Sequence, residues 1–263
     1  MCIVFTSTII ESKQTIYLQM KKMTQNYSKY TEEDRKVWNT LFERQQKNLP
    51  GKAHPEYLNC ISKLSDVLNA DEIINFDQLN EYLKAENGWS VVVVPGLIPV
   101  DNFFKLLSEK KFCSSTWLRK MDQLDYLEEP DMFHDIFGHI PLLMNSDYAR
   151  FVEEFGKLGV EYGHNKMVEK QLQRLYWFTI EFGLIKQNEN TQIYGAGIIS
   201  SAGETDHIFK DNIEVRPYEV DRILENDFIT SEIQTRYYEI ESFEELFNSV
   251  GELEKSLKEE VNV

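Results

Sequence analysis

Two histidines of this chain lie in one short segment whose spacing could serve a metal ion. The segment reads EPDMFHDIFGHIPLL, and its histidines are His134 and His139, five residues apart. On a regular α-helix this spacing leaves the two side chains about 140° apart. Both can bind one ion only if the helix ends between them, and glycine is typical of helix ends. The sequence therefore predicts a helix that stops at Gly138.

The neighbours of the two histidines also suit a metal site. Asp131 and Asp135 could orient an imidazole, as the partners of metal-binding histidines usually do. The apolar residues of the segment could form a surface that excludes water: Phe133, Phe137, Ile140, Leu142 and Leu143. The alternative is that both histidines are ordinary polar or core residues, which is the more common case for two histidines close in sequence.

A third ligand is available in the segment RLYWFTIEFGL. Glu181 is surrounded there by apolar and aromatic residues, so its carboxylate should be buried. A buried carboxylate is costly unless it is paired or bound to a metal. The pattern leaves two interpretations open, a metal ligand or an ion pair with Arg174 or Arg119.

Two imidazoles and one carboxylate match two kinds of metal chemistry. One is zinc-dependent hydrolysis with an open coordination position. The other is non-haem iron(II) chemistry, in which the same ligand set leaves room for oxygen and substrate. The chain lacks the H-E-x-x-H pattern that supplies a general base to zinc proteases. The aromatic surroundings suit an apolar ring, so iron is favoured and a zinc hydrolase remains the alternative.

Helical patterns dominate the elements that must position these residues. The predicted elements are a helix capped by Thr31, a strand at Ser90–Val94, a helix at Met167–Phe182, strands at Ile193–Ile199 and Tyr237–Ile240, and a helix capped by Ser242. We expect a mainly α (α+β) fold: one helical catalytic domain with small β elements over residues 23–263. Residues 1–22 are predicted to be a disordered extension.

Composition limits the partners of this protein. The 263 residues are 42% hydrophobic and carry a net charge of −16, which repels nucleic acid and anionic membranes. No run of residues is apolar enough to cross a membrane. The widely spaced Cys2, Cys60 and Cys113 form neither a disulfide framework nor a zinc pair. We expect a cytoplasmic monomer with a small-molecule substrate and neither a nucleic-acid nor a membrane partner.

Three long blocks, in order, resemble the pterin-dependent aromatic amino acid hydroxylases. They are EPDMFHDIFGHIPLL, RLYWFTIEFGLIKQ and IYGAGIISSAGE, and the likeness is closest to the bacterial phenylalanine 4-monooxygenases. It extends from about Tyr30 to about Phe247. The resemblance implies iron(II) and a tetrahydropterin as cofactors, O2 as co-substrate, and conversion of L-phenylalanine to L-tyrosine. It also implies that His134, His139 and Glu181 are the metal ligands.

The resemblance implies substrate-binding residues as well. Arg119 matches the arginine that holds the substrate carboxylate, which a guanidinium grips with two parallel hydrogen bonds. Trp177 matches the aromatic residue beside the substrate ring, and Ser200 matches a serine near the substrate and the iron. Without the family, Arg119 would be taken for a surface arginine and Ser200 for a turn residue. No protein residue beyond the metal ligands is expected to act as a general base.

The segment VPGLIPVDNFF matches the pterin loop of these enzymes. Phe103 would stack on the pterin ring, and backbone groups near Gly96 and Ile98 would contact its edge. Core packing is the alternative for Phe103. Asp135 replaces the glutamate of animal members, which implies a slightly different pterin placement.

Other substrates of the same family remain alternatives. Tyrosine hydroxylases usually carry an aspartate late in the chain, where this sequence has Thr230. A tyrosine or tryptophan hydroxylase therefore stays open at this point, as does a protein that binds ligands without turnover.

Overall fold

A computed structural model describes residues 3–4, 23–125, 127, 129–210, 212–230 and 232–262. Of the predicted extension 1–22, only Ile3–Val4 is described, and it pairs in parallel with Ile98–Pro99. The prediction for the remainder of the extension lies outside the described residues. The single catalytic domain over 23–263 likewise stays a prediction.

Helices form most of the regular structure, as predicted. The α-helices are α1 (Glu32–Asn48), α2 (Pro55–Lys63), α3 (Phe76–Glu86), α4 (Val100–Ser108), α5 (Ser146–Tyr162), α6 (Lys166–Tyr176), α7 (Ala196–Ile199), α8 (Ala202–His207), α9 (Val220–Glu225), α10 (Phe243–Asn248) and α11 (Val250–Val261). The described residues also include the π-helices π1 (His134–His139) and π2 (Trp177–Glu181). Short 3-10 turns lie at Tyr27–Lys29, Met121–Gln123 and Pro141–Met144. No helix in the described ranges combines the length and the apolar character that a bilayer crossing needs.

Within the described ranges, the β structure is small and divided among three sheets. Its strands are β1 (Ile3–Val4), β2 (Ser90–Val93), β3 (Ile98–Pro99), β4 (Lys111–Ser114), β5 (Leu184–Gln187), β6 (Asn190–Ile193), β7 (Glu214–Pro217) and β8 (Arg236–Ile240). β1 pairs with β3 and β2 with β4, both in parallel, and the third sheet has the order β6-β5-β8-β7. The fold is therefore mainly α with small β elements, which confirms the predicted class.

The predicted strand at Ile193–Ile199 was wrong. Ile193 ends β6, and Ala196–Ile199 forms the short helix α7. The chain turns at Gly195, where a side chain would lie 2.5 Å from the Glu181 carbonyl oxygen. This close approach to the metal-ligand segment determines the backbone there, and an apolar sequence pattern does not reveal it.

Helix α1 begins where the sequence predicted. The Thr31 side chain accepts a hydrogen bond from the Asp34 backbone N–H, and the Asp34 carboxylate accepts one from Thr31, which together make a capping box. The buried face of α1 includes Trp38, whose ring meets Phe133 edge-on at 5.7 Å between centroids. Phe133 directly precedes π1, so α1 supports the helix that carries both histidines.

Helices α4 and α5 approach each other closely because α5 carries glycines on the facing side. A Cβ atom at Gly159 would lie 2.2 Å from the Phe104 ring, and one at Gly156 would lie 2.4 Å from the Ser108 nitrogen. The Phe104 ring occupies the space that a side chain at Gly159 would need. This contact fixes the position of α4 beside the core.

Substitution of Gly159 by alanine is expected to lower the free energy of unfolding by about 1–3 kcal/mol, because overpacking forces neighbouring atoms to shift. Denaturant-induced unfolding measures the effect. Gly251→Ala is the matched control, since a Cβ there meets nothing within 4 Å. The control should be neutral or slightly stabilising. Equal unfolding midpoints for both variants would contradict the tight contact.

Candidate metal centre

The two histidines converge because the helix between them is a π-helix. In π1 the backbone bonds run from residue i to i+5, so residues five apart stand roughly one turn apart. The prediction that the helix ends at Gly138 was therefore wrong, since the π-helix continues through it. Gly138 is required for a different reason: a Cβ there would lie 2.9 Å from the Ala196 carbonyl oxygen of α7.

Glu181 reaches the same point through a second π-helix. Helix α6 passes directly into π2, whose last residue is Glu181. The His139 Nε2 atom lies 3.2 Å from His134 Nε2 and 3.3 Å from Glu181 Oε1. His134 Nε2 lies 3.6 Å from Glu181 Oε2. These separations suit three ligand atoms that each stand about 2 Å from one central ion.

The chemistry of this triad fits a metal ion. All three side chains are buried, and Glu181 Oε1 has no hydrogen-bond donor among the described residues. The alternative of a Glu181–arginine pair does not hold, because Arg119 pairs with Asp131 and Arg174 with Asp227. A buried carboxylate with neutral imidazoles as its neighbours is costly unless a cation compensates its charge, which favours a bound metal ion.

Ser200 orients the first histidine ligand. The Ser200 hydroxyl donates to the Ala196 carbonyl (2.8 Å), so its oxygen accepts the bond from His134 Nδ1 at 2.9 Å. With its proton on Nδ1, the His134 ring directs the Nε2 lone pair toward the triad. Burial also lowers the pKa of His134 to about 4, which keeps the imidazole neutral, as a metal ligand must be.

The second histidine is positioned by aromatic packing. The His139 ring lies 4.6 Å from Phe112 and 6.3 Å from Tyr176, measured between centroids. Its Nδ1 atom is buried and has no hydrogen-bond partner in the part of the chain described. The two ligands are thus held differently, one by a hydroxyl and one by rings.

Substitution of Ser200 by alanine is expected to weaken iron binding about 10- to 100-fold, the usual cost of losing the partner of a metal-binding histidine. Titration of the metal-free protein with iron(II) measures the dissociation constant. Ser200→Thr keeps the hydroxyl and should recover most of the affinity. Equal affinity of wild type and Ser200→Ala would contradict this role.

Asp131 serves Arg119 rather than an imidazole. Its carboxylate accepts Arg119 Nε at 2.8 Å and Arg119 Nη2 at 2.9 Å. It also accepts the backbone N–H groups of Arg119 and His134. Burial alone raises the pKa of Asp131, but the Arg119 guanidinium outweighs it and the net shift is downward. The prediction that Asp131 orients a histidine ring was wrong, because its oxygens are used by these donors.

Arg119 is buried, not a surface arginine. Among the described residues, its Nη1 atom makes one long contact, 3.4 Å, with the Leu124 carbonyl. That nitrogen is the part of the guanidinium that Asp131 leaves available, and it can meet a ligand carboxylate. Asp131 thus holds the Arg119 guanidinium in a fixed orientation. The same carboxylate accepts the backbone N–H of His134, so this cation lies beside the start of π1.

The predicted pterin residues are placed in different surroundings. Phe103 is fully buried, with its ring edge-on to Tyr176 at 5.3 Å, so core packing is what the structure describes for it. Asp135 is also fully buried and accepts the Ser115 backbone N–H at 3.0 Å. Gly96 has φ of +148°, a conformation that favours glycine, and Ile98 pairs with β1. Contacts of these residues with a pterin stay predictions.

Two residues near the triad were missed by sequence reasoning. A side chain at Gly197 would lie 3.2 Å from Glu181 Oε2 and 3.0 Å from Phe182, so this glycine lets both residues pack closely against the backbone of α7. The glycines of GAG were the only signal for it. Phe228 stacks on Trp177 with centroids 4.5 Å apart and planes inclined by 12°. Nothing in the sequence pattern around Phe228 indicated this contact.

The fold and the triad together define a mononuclear metal centre of the two-histidine, one-carboxylate type within a helical domain. A model of the biopterin-dependent aromatic amino acid hydroxylases matches residues 8–263. This chain belongs to that family.

Known members of the family resemble the chain over most of its length. It is 41% identical to the phenylalanine-4-hydroxylase of Ralstonia nicotianae over 228 residues, 86% of this chain and 72% of that protein. It is also 41% identical to the enzyme of Chromobacterium violaceum over 230 residues, 87% of this chain and 76% of that one. A crystal structure of C. violaceum phenylalanine hydroxylase with bound iron(III) and oxidised cofactor 7,8-dihydrobiopterin superposes with a TM-score of 0.85 at 37% identity. That match covers 96% of this chain and 94% of the other.

Proposed function

We propose that this protein is an iron(II)- and tetrahydropterin-dependent monooxygenase that converts L-phenylalanine to L-tyrosine. The observation that carries the proposal is the buried triad of His134, His139 and Glu181. The relatives that share the fold at about this level of identity are phenylalanine hydroxylases, and one of them binds iron and dihydrobiopterin. The donor set has the composition of a non-haem iron site with open positions.

Iron held by the triad, together with a reduced pterin, would supply the activation of O2 and the electrons for hydroxylation. The residues of this chain supply placement and exclusion of water, which is the usual division of labour in cofactor enzymes. Arg119 would bind the amino-acid carboxylate through the guanidinium edge that Asp131 leaves available. Ser200 keeps His134 in the tautomer that binds the metal.

The substrate ring would lie in an apolar pocket beside the triad. Trp177 and Phe182 are buried with ring centroids 4.5 Å apart, and the lack of a side chain at Gly197 lets Phe182 lie close to Glu181. A phenol hydroxyl buried in such a pocket without a hydrogen bond costs about 1–3 kcal/mol. Where that hydroxyl finds no partner, phenylalanine is expected to be preferred over tyrosine by roughly 5- to 150-fold from this effect. A bond from the Trp177 Nε1–H group would reduce this preference.

The pterin loop at 94–104 and Asp135 are the proposed cofactor contacts, through Gly96, Ile98 and Phe103. Because Phe103 is fully buried in this structure, stacking on a pterin requires its ring to turn out of the core. Spectroscopic titration with a reduced pterin tests the assignment. Weaker pterin binding by Phe103→Ala, with unchanged unfolding, would support stacking, whereas a lowered unfolding midpoint alone would support packing.

We also propose that the protein acts as a monomer in the cytoplasm. The net charge of −16 disfavours self-association, and the buried Cys60 and Cys113 are free thiols that suit a reducing compartment. Light scattering at micromolar concentration tests the assembly. A stable tetramer would overturn it.

Product analysis tests the proposed reaction. Purified protein with phenylalanine, iron(II) and a reduced pterin should form L-tyrosine, and omission of any one of them should stop the reaction. Tyrosine and tryptophan are added in competition. Preferential formation of dihydroxyphenylalanine or 5-hydroxytryptophan would change the substrate but not the family. Retention of zinc with no pterin-dependent turnover would favour a zinc hydrolase.

A further inference from the structure

The Trp177 indole packs against the rings of two phenylalanines. Phe182 and Phe228 both lie 4.5 Å from it, measured between centroids, with Phe228 nearly parallel. Trp177 is 6% exposed, yet its Nε1 atom has no hydrogen-bond partner among the described residues. Because no described residue bonds the indole nitrogen, the neighbouring rings are what fixes the orientation of the indole in the part of the chain that the structure describes.

Phe228 comes from a segment without regular structure, residues 226–230, between α9 and β8. Asp227, the residue before Phe228, attaches this segment to α6. Asp227 accepts Arg174 Nη2 at 2.7 Å, Arg174 Nε at 3.1 Å and Lys170 Nζ at 2.9 Å. Arg174 also donates to the Leu224 carbonyl through Nη1. We refer to Arg174, Lys170 and Asp227 as the latch.

Two members of the latch, Lys170 and Arg174, lie on α6, which continues directly into the π-helix that carries Trp177. Arg174 lies three residues before Trp177, and Trp177 begins the π-helix that ends at Glu181. Phe228 also meets Phe178 edge-on at 6.3 Å. The latch therefore fixes the segment relative to the same backbone that carries the metal ligand.

We propose that Phe228 is a positioning residue for the substrate ring. Phe228 holds the Trp177 indole in place, and the latch holds Phe228. This inference rests on the proposed function, because it assigns Trp177 to the pocket of an aromatic amino acid. Phe228 acts through the indole and the latch acts through Phe228. Since Ile229 is 59% exposed, the segment connects the protein surface with the pocket wall.

Removal of the ring tests the first step of the proposal. Phe228→Ala should raise KM for phenylalanine about 2- to 12-fold, the size expected from the loss of one stacked pair. Tyrosine formed per pterin oxidised should also fall, because a poorly placed ring lets reduced pterin be consumed without hydroxylation. Phe228→Tyr keeps a ring and should restore both values to within about twofold of wild type. Iron content should be the same in all three proteins. Unchanged KM and unchanged coupling in Phe228→Ala would overturn the proposal.

A double-mutant cycle tests the latch. Asp227→Ala should raise KM and lower coupling in the wild type, and should have little further effect in the Phe228→Ala background. The matched control is Glu241→Ala, which removes an ion pair with Lys186 whose carboxylate has the same 70% exposure as Asp227. Additive effects of Asp227→Ala and Phe228→Ala would show that the latch does not act through Phe228.

Fluorescence separates this inference from the proposed function. The Trp177 signal is the difference between wild type and Trp177→Phe, measured on metal-free protein without substrate. Phe228→Ala should change the intensity or wavelength of that signal, while Glu241→Ala should not. If the wild type forms no tyrosine, the proposed function fails, but the fluorescence still reports on the Phe228–Trp177 contact. An unchanged Trp177 signal in Phe228→Ala would reject the contact itself.

Discussion

Replacement of Glu181 by alanine is expected to abolish stoichiometric iron binding and, with it, tyrosine formation. The carboxylate is a direct member of the triad, within 3.6 Å of both imidazole Nε2 atoms. Loss of a hydrogen-bond partner outside the triad already costs about 10- to 100-fold in metal affinity, so loss of a ligand should cost more. Metal content after dialysis, determined by elemental analysis, and tyrosine yield measure the two effects.

The fold should survive this substitution. Glu181→Ala removes a buried carboxylate that lacks a hydrogen-bond donor to Oε1 within the described ranges, and the large apolar core stays intact. Glu153→Ala is the control, since this carboxylate on α5 pairs with Lys157 and Lys110 at the surface. The control should keep iron and activity. If Glu181→Ala retains stoichiometric iron and near-normal turnover, the ligand assignment is wrong.

Replacement of Arg119 by alanine is expected to act on substrate binding and on stability together. Without the guanidinium, KM for phenylalanine should rise steeply, because the amino-acid carboxylate loses its charged partner. The free energy of unfolding should also fall by about 3–5 kcal/mol, since Asp131 remains as a buried and uncompensated charge. The pair is almost fully inaccessible, with side-chain exposures of 8% and 0%.

The double variant Arg119→Ala/Asp131→Ala separates the two effects. Removing both charges should recover part of the lost stability, because no unpaired carboxylate is left in the interior. It should not recover substrate binding. Denaturant unfolding and steady-state kinetics measure the two quantities. A destabilisation in Arg119→Ala no larger than a typical surface substitution, within about 0.5 kcal/mol, would show that the pair contributes little. An unchanged KM would remove Arg119 from the substrate site.

The sequence by itself determined the ligand types and the fold class. Two histidines in an apolar segment and one glutamate among aromatic residues indicated a candidate metal site, while ordinary histidines and an arginine partner for Glu181 stayed open. The helix that begins at Thr31 was predictable because its capping box is local, involving only Thr31 and Asp34. Long amphipathic patterns likewise indicated a mostly helical chain, because helical periodicity is a local property.

Only the tertiary structure decided how the ligands converge. An α-helix and a π-helix bury the same residue types, and the choice at His134–His139 and Trp177–Glu181 depends on contacts with distant segments. Gly138 illustrates the difference. A glycine at this position indicated a helix end, whereas the structure requires glycine there because Ala196 of α7 leaves no room for a side chain.

Pairings between residues distant in sequence could not be predicted from the sequence either. Asp131 could have served a histidine or an arginine, and Glu181 a metal or an arginine, because each carboxylate has the same chemistry in either role. The fold settles both, since it brings Arg119 to Asp131 and the two imidazoles to Glu181. The stacking of Phe228 on Trp177 joins residues 51 positions apart. No local pattern encodes such a contact, because it arises only when α6 and the segment after α9 are packed together.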